Sequence, residues 1–220
     1  MDKDIDKIEK SFTTSFINND LIDVSIDVSE SVIDSLVDNE LLKEIPVLKT
    51  VLAVGKTILG IRLKSYTRKL IKLLFYTKDM PSEDKRKFIE SLNVENDVRP
   101  AEILLQLLDS FENDVKVKIL SNLISAKINN NITNIEFLRM SYVVKTTFYQ
   151  DLLNLHRYST WGSEHERGSS DILISAGLIF QKINGIKELD KVIGLSFHRG
   201  KYYLTDLGNN LFYYGIKDII

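Results

Sequence analysis

The first half of the chain carries its acidic and apolar residues at helical spacing. Apolar and polar positions alternate between residues 22 and 28, which taken alone is typical of a strand. The acids from 23 to 38 instead recur every three or four positions, so they share one face of a helix. They are Asp23, Asp27, Glu30, Asp34 and Asp38. This spacing predicts a helix from about Asn19 to Leu42.

A second helix is predicted directly after the first. Pro46 suits the first turn of a helix, where its missing N–H costs nothing. No proline lies between Val47 and Tyr76, so the second helix is expected to run toward Tyr76. Joined by a short link, the two elements predict a long helical hairpin at the amino-terminal end.

Periodicity and capping residues predict further helices in the middle of the chain. Ser82, followed by two acids, begins a short helix that extends through Leu92. Pro100 opens another, and apolar residues from 117 to 124 mark the next. Thr133 and Glu136 have the spacing of a capping box and begin a long helix to about His156. Its predicted core residues are Leu138, Val144, Phe148, Leu152 and Leu155.

Helix and strand signals are mixed in the last third. Residues 171–176 predict a short helix closed by Gly177 at its C′ position, followed by a strand over 178–183. The segments LSFH and KYYLT, separated by Arg199 and Gly200, predict a hairpin, and Thr205 caps a last helix. The fold is therefore expected to be mostly α, with an α+β module at the carboxyl-terminal end. The expected divisions are 1–92, 93–131 and 132–220.

This carboxyl-terminal part resembles a bacterial winged-helix module. The resemblance rests on LISAGLI at 173–179 and YYLTDLGNNLFYY at 202–214, with a wing-like hairpin between them. The insertion GIKELDKVIG departs from the compact pattern. The resemblance implies a winged-helix-like domain over 132–220 and leaves its ligand open.

The module offers few residues for reading a duplex. The helix before Gly177 is apolar and acidic, whereas base readout calls for arginine, lysine, asparagine or glutamine. A local basic patch is still possible, and Tyr202 or Trp161 could stack on a single-stranded base. Its candidate members are Lys145, Arg157, Arg167, Arg199 and Lys201. Two interpretations stay open: the module packs against protein, or it binds nucleic acid or an oligonucleotide.

Residues 45–61, IPVLKTVLAVGKTILGI, are the most apolar stretch of the chain. Their only charges are Lys49 and Lys56, which are seven residues apart and share one face with Gly60 nearby. A helix of this length measures about 25 Å, the low end of what spans a bilayer core. In a membrane the stripe of Lys49, Lys56 and Gly60 would face a pore or a partner helix. The basic block at 62–87 would then lie among lipid headgroups.

Two other interpretations of the same stretch are open. In a soluble fold its apolar side is core, and its lysines face either the acidic stripe or water. In the second interpretation, residues 45–61 bind a partner helix.

Composition narrows the classes of function. The 220 residues include no cysteine and carry a formal net charge of −2, so no global attraction to nucleic acid or anionic lipid is expected. The acidic amino terminus lacks the apolar core of a signal peptide, which predicts a cytoplasmic or inner-membrane-associated protein that is not secreted. Glu164, His165 and Glu166 are consecutive in a predicted loop and would point in different directions, so they fit an exposed polar segment better than a metal site. No nucleophile elbow, phosphate loop or HExxH motif occurs, so neither an enzyme nor a cofactor is expected.

The layout as a whole resembles small bacterial anti-phage effectors. An apolar helix, a basic continuation, a helical middle and a winged-helix-like end are similar to effectors of the abortive-infection alpha type. They are also similar to the HalA-type membrane effectors of Hailong systems, which are paired with nucleotidyltransferases. The resemblance implies a non-enzymatic homo-oligomer that permeabilises the inner membrane in response to a nucleotide or oligonucleotide signal.

Two alternatives come from other classes of protein. One is a winged-helix DNA-binding transcriptional regulator, and the other is a soluble protein-interaction scaffold. The effector requires the helix at 45–61, and the regulator requires Arg199 and Lys201, so substitutions can separate them.

Overall fold

A computed structural model describes residues 2–18, 45–58, 62–92, 99–159, 169–182 and 201–220. The chain divides into two compact units, residues 1–138 and residues 139–220. The described residues are mostly helical and contain one two-stranded sheet, which confirms the predicted fold class at that level. The three-part division at 92 and 131 stays a prediction.

The first unit is built from helices. Their bounds are α1 Asp2–Asn18, α2 Pro46–Ile58, α3 Arg62–Thr77, α4 Ser82–Ser91, α5 Pro100–Ser110, α6 Asp114–Ile128 and the opening turns of α7, Asn134–Thr146. Helices α4, α5 and α7 begin where the sequence predicts, and α6 contains the apolar residues from 117 to 124 that mark it. The second predicted helix appears as α2 and α3 on either side of residues 59–61, which lie outside the described part.

The core of this unit centres on α6. Asn113 caps the helix through its side-chain oxygen, which accepts from the backbone N–H of Val115 at 2.8 Å. Val117, Leu120 and Ile124 recur at helical spacing and are fully buried. Helix α6 contacts α3 on one side and α4 on another, so it organises the unit.

A buried lysine closes the end of α5. The ammonium of Lys69, on α3, donates to the carbonyls of Leu108 at 2.9 Å and Phe111 at 2.5 Å. These carbonyls lie where a helix end leaves its acceptors without partners and favours a cation. Burial lowers the pKa of Lys69, while the carboxylates of Asp109 and Asp114 act in the opposite direction. Lys69 therefore serves as a helix cap.

The second unit combines short helices with a two-stranded antiparallel sheet. Its elements are the rest of α7, α8 Tyr149–Leu153, a 3₁₀ turn Asn154–Tyr158, α9 Ser169–Ser175, β1 Ile179–Lys182, β2 Lys201–Leu204, α10 Asp206–Leu211, a π-helical turn Phe212–Ile216 and a 3₁₀ turn Lys217–Ile219. The strands pair antiparallel, with Ile179 opposite Leu204 and Lys182 opposite Lys201.

The predicted long helix from 137 to 156 is wrong in its continuity. The capping box is present, since Thr133 accepts from the N–H of Glu136, whose carboxylate accepts from Thr133. The helix ends at Thr146, however, where two successive β-branched threonines are poor helix formers. Phe148 then adopts an extended backbone and is 49% exposed, although the sequence places it in the core. Of the other predicted core residues, Val144, Leu152 and Leu155 are fully buried and Leu138 is half-buried.

The turn from α9 into β1 forms as predicted. Gly177 has a φ of 71°, and its N–H donates to Ile174 while that of Leu178 donates to Leu173. This is a Schellman motif, in which glycine takes the left-handed position at no steric cost.

The start of α10 explains the motif LTDLG. The hydroxyl of Thr205 accepts from the N–H of Gly208 at 3.0 Å, which confirms the predicted cap. A Cβ on Gly208 would lie 2.0 Å from the carbonyl oxygen of Leu178, so only glycine lets α10 approach the start of β1 this closely.

Several sequence predictions lie outside the described residues. These are the helix at 19–42 with its acidic stripe, the insertion GIKELDKVIG, and the LSFH arm of the predicted hairpin with its turn at Arg199. The strand predicted over 178–183 is β1, and it is this strand that pairs with β2.

Candidate functional site: the apolar helix and its cover

Helix α2 has one buried face and one exposed face. Val47, Leu48 and Val51 lie on the buried face and are at most 1% exposed. Lys49 and Ala53 are exposed. The helix is therefore amphipathic, and its apolar side is covered in the described structure.

The cover is α1. Phe12 and Phe16, one turn apart on α1, are fully buried, and their rings stack at 5.6 Å between centroids. The hydroxyl oxygen of Ser15 accepts a hydrogen bond from the backbone N–H of Val47 at 3.1 Å. This N–H belongs to the first turn of α2 and has no partner within its own helix. Helix α1 thus packs against α2, and one buried hydrogen bond joins them.

A line of aromatic rings continues from α1 into the body of the first unit. The ring of Phe16 lies 6.3 Å from that of Phe88, which meets Phe137 edge-on at 5.3 Å. The ammonium of Lys85, which is also fully buried, lies 5.1 Å from the Phe16 ring centroid. These contacts anchor the carboxyl-terminal half of α1.

The amino-terminal half of α1 is held by an ion cluster. Arg99, directly before α5, donates from Nη1 to the carboxylates of Asp6 and Glu9, and the Glu9 contact measures 2.7 Å. Glu9 is buried, so Arg99 is the cation that compensates its charge. The two carboxylates and their hydrogen bonds raise the pKa of Arg99, which stays protonated.

Much of the basic block at 62–87 is engaged within the fold. Lys69, Lys72 and Lys85 are buried. The carboxylate of Asp114 forms ion pairs with Lys72 at 3.1 Å and with Arg68 at 3.2 Å. The exposed cations of the block among the described side chains are Lys64, Arg86 and Lys87. Only part of this block is therefore available to lipid headgroups while the unit is folded.

The described residues include one side chain of the predicted lysine stripe. Lys49 is exposed, as a pore-lining or headgroup-facing lysine requires. Lys56 lies in α2, but its side chain is outside the described part, as is Gly60. In the part of the chain that the structure describes, no helix combines the length and the apolar character needed to cross a bilayer.

The predicted ligand-binding residues of the second unit fall into three groups. Lys145, Arg157 and Lys201 are exposed, and Arg167, Arg199 and Trp161 lie outside the described residues. Tyr202 is 5% exposed, so its ring lies in the core and not on a surface where a base could stack. Burial raises the pKa of Tyr202, with smaller contributions from Asp171 and Tyr158.

Helix α9, which precedes β1, exposes few of the side chains that a helix uses to read a DNA duplex. Asp171, Ile172, Ile174 and Ser175 are exposed on it. The described residues of this helix include no arginine, lysine, asparagine or glutamine, the side chains that most often read bases.

Among the described residues, no group of three histidine, aspartate or glutamate side chains could hold a metal ion. His156 is exposed, and its Nδ1 lies 2.7 Å from the carbonyl of Leu153. His165 and His198 lie outside the described part.

Comparison of the chain with protein-family models, with curated proteins and with solved structures finds no match. The features that carry a functional interpretation are the covered helix α2 and the exposed cations of the second unit.

Sequence reasoning missed the cover itself. Ile5, Ile8, Phe12 and Phe16 recur at steps of three or four residues, the spacing of an apolar helix face. The acids among the first ten residues make this segment look charged and exposed, which hides its apolar stripe. The same acids include the two carboxylates that bind Arg99.

Proposed function

We propose that the chain is a non-enzymatic effector of a bacterial anti-phage, abortive-infection system. In this proposal it works as a homo-oligomer that permeabilises the inner membrane, and its resting form is cytoplasmic or membrane-associated. A nucleotide or oligonucleotide signal, made by a partner nucleotidyltransferase, triggers it. The observation that supports the proposal most is the amphipathic helix α2, whose apolar face is covered by a separate helix.

Burial of the apolar face of α2 stabilises the resting form. Burying one valine, leucine or isoleucine side chain is worth roughly 1.5–3 kcal/mol. Ile45, Val47, Leu48 and Val51 are all buried in this region. Uncovering α2 is therefore unfavourable in water, and lipid or other copies of the helix must take over these contacts.

The length of α2 determines how it would meet the bilayer. Its 13 residues measure about 20 Å, against about 30 Å for a hydrocarbon core. The helix alone would thus lie in the interface with its apolar face in the acyl region and Lys49 among the headgroups. Permeabilisation is then a property of several such helices in an oligomer.

We assign the sensing role to the second unit, as a winged-helix-like module. This finer assignment draws its support from the order α9, β1, β2 and α10 and from the Schellman turn at Gly177. The exposed cations Lys145, Arg157 and Lys201 provide a surface for phosphate groups.

The scaffold alternative is favoured by one observation in the second unit. Tyr142, Phe148, Ile172 and Phe180 are large apolar side chains that are at least 45% exposed, as expected for a surface that binds protein. The duplex-binding regulator has less support, because α9 exposes apolar and acidic side chains.

A charge placed on the covered face of α2 is expected to abolish membrane activity. In Val51→Asp, the carboxylate would have to enter the acyl region together with the rest of this face, at a cost of roughly 2.5–3.5 kcal/mol. Dye release from vesicles and toxicity on expression in bacteria measure the effect.

The matched control is Ala53→Asp, which puts the same charge on the exposed face two residues away. We expect it to keep full dye release. Because Val51 is buried, circular dichroism must show that Val51→Asp remains helical. A folded Val51→Asp that releases dye as fast as the unmodified protein would exclude the membrane role of α2.

The second unit is expected to bind short single-stranded oligonucleotides weakly and in a salt-sensitive manner. Charge reversal in Arg199→Glu/Lys201→Glu should weaken binding and flatten its salt dependence, because each lost phosphate contact removes about 0.7 units of slope. Fluorescence anisotropy over a range of salt concentrations measures both. Tight binding to a palindromic duplex would instead favour the regulator.

A further inference from the structure

The two-stranded sheet of the second unit has one covered face and one exposed face. Side chains alternate between the faces along a strand, and the register places Ile179 and Tyr202 on the same one. Both are at most 5% exposed. Helix α9 contacts β1, while α10 and the 3₁₀ turn contact β2. The opposite face carries Phe180, Lys182, Lys201 and Tyr203.

An aromatic pair occupies one end of the exposed face. Phe180 and Tyr203 lie directly opposite each other in the register. Their ring centroids are 6.0 Å apart, and the ring planes are inclined by 32°. Phe180 is 46% exposed, so much of its apolar surface is left in water. A flat ring of a ligand that stacks on this pair would remove that surface from water.

A pair of lysines occupies the other end of the same face. Lys182 and Lys201 lie directly opposite each other, and both are exposed. Side chains paired in this way have Cβ atoms roughly 4.5–5.5 Å apart, and like charges at this spacing are destabilising. Neither lysine has an ion-pair partner among the described residues. An anion that binds between the two ammonium groups would offset their repulsion.

The combination of rings and cations is not explained by protection of the sheet. Lysines on edge strands discourage pairing with other chains, but exposed aromatic rings favour such contacts. Successive residues on one face of a strand are about 7 Å apart. One ligand with flat apolar rings and regularly spaced anionic groups can therefore contact both pairs at once. Single-stranded nucleic acid has this chemistry.

We propose that the exposed face of this sheet binds single-stranded nucleic acid. Bases stack on Phe180 and Tyr203, and the backbone phosphates lie against Lys182 and Lys201. The stacking tyrosine is thus Tyr203, which follows the buried Tyr202 that the sequence suggests. Every base has a π-face, so the site accepts different sequences. A duplex keeps its bases paired in its interior and offers only its phosphates to this face.

The site deepens the sensing role of the second unit, because it gives an oligonucleotide signal a place to bind. Its part in triggering membrane activity rests on the proposed function, whereas binding itself does not.

Fluorescence anisotropy of the full chain with three labelled probes tests the site. The first is a single-stranded oligothymidylate of about eight nucleotides, within the site size of comparable platforms. The second is an abasic strand of the same length, which keeps the phosphates and lacks the rings, and the third is a duplex. We expect the oligothymidylate to bind at least about tenfold more tightly than either of the others.

Loss of both rings is expected to weaken binding of the oligothymidylate at least about tenfold. Phe180→Val/Tyr203→Val removes the rings and keeps residues that favour a strand, and circular dichroism checks the fold. Phe180→Tyr/Tyr203→Phe keeps both rings and should bind as the unmodified chain does. So should Tyr142→Ala, which removes a ring that is 64% exposed on α7.

Loss of both lysines is expected to weaken binding of the oligothymidylate and of the abasic strand alike. In Lys182→Gln/Lys201→Gln, each lost phosphate contact removes about 0.7 units from the slope of log affinity against log salt concentration. The variant without rings should instead bind the abasic strand as the unmodified chain does. This difference separates stacking from charge.

Oligothymidylate binding that survives the loss of both rings would overturn the sheet site and leave the sensing role of the second unit standing. Absence of binding to any of the three probes at millimolar concentration would overturn both. Cosedimentation with vesicles of phosphatidylcholine and phosphatidylglycerol that requires both rings, without binding of the oligothymidylate, would assign the face to lipid and overturn the proposal. None of these results depends on dye release, which Val51→Asp tests separately.

Discussion

Replacement of Phe16 by alanine is expected to lower the free energy of unfolding of the first unit by about 3–5 kcal/mol. Phe16 is fully buried between Phe12, with which it stacks, and Phe88. The truncation removes the transfer free energy of the ring and leaves a cavity where α1 meets the body of the unit. It also removes the ring that faces the buried ammonium of Lys85. Urea denaturation followed by circular dichroism measures the loss.

Ile5→Ala provides the control on the same helix. Ile5 is 41% exposed, so its truncation should cost less than about 1 kcal/mol. Similar losses for the two variants would mean that α1 does not pack through Phe16 as described.

Phe16→Ala also distinguishes two roles of α2: an apolar helix that α1 covers and can release, or a permanent part of the core. If α1 is a releasable cover, Phe16→Ala weakens its hold, and dye release should begin at lower protein concentration than for the unmodified chain. If α2 is permanent core, the variant only loses stability, and vesicles stay intact. Ile5→Ala should leave the concentration dependence of release unchanged.

The middle of the chain could be predicted because its signals are local. Pro100 begins α5, and the capping box of Thr133 and Glu136 begins α7 where the sequence places it. Gly177 could be assigned to the turn after α9, and Thr205 to the cap of α10, for the same reason. A cap or a left-handed glycine depends on neighbours within a few residues, so sequence alone is enough to find it.

The basic block could not be predicted because its partners are distant along the chain. Lys69 binds carbonyls about 40 residues later, and Lys72 pairs with Asp114. A run of lysines looks the same in sequence whether it faces water, lipid or a helix end. The expectation that the whole block meets lipid headgroups therefore came from composition alone. Lys69 and Lys72 are buried, so these two lysines do not face lipid in the folded unit.

The cover α1 and the break after Thr146 were missed for different reasons. The apolar stripe of α1 is present in the sequence, but acids surround it, and Arg99, the partner of two of these acids, lies 93 residues from Asp6 and 90 from Glu9. The break before Phe148 depends on a balance between helix propensity and packing, which periodicity does not measure. Apolar spacing continued across the break and predicted one helix where two occur.

The central claim is that α1 must leave α2 before the protein acts on membranes, and a reversible crosslink tests it. The chain contains no cysteine, so Ser15→Cys/Val47→Cys introduces the sole pair of thiols. The hydroxyl oxygen of Ser15 lies 3.1 Å from the backbone nitrogen of Val47, which brings the two Cα atoms close to the span of about 4.4–6.8 Å that a disulfide bridges. The single-cysteine variants control for the substitutions.

The measurement is dye release from vesicles of phosphatidylethanolamine and phosphatidylglycerol by the oxidised and the reduced double variant, with Phe16→Ala as the reference for a loosened cover. The account predicts at least about a tenfold lower rate of release for the oxidised protein, restored in full by a reductant, because the disulfide keeps the apolar face of α2 covered. Equal release by the oxidised and reduced forms, or intact vesicles with the reduced form and with Phe16→Ala, would contradict it.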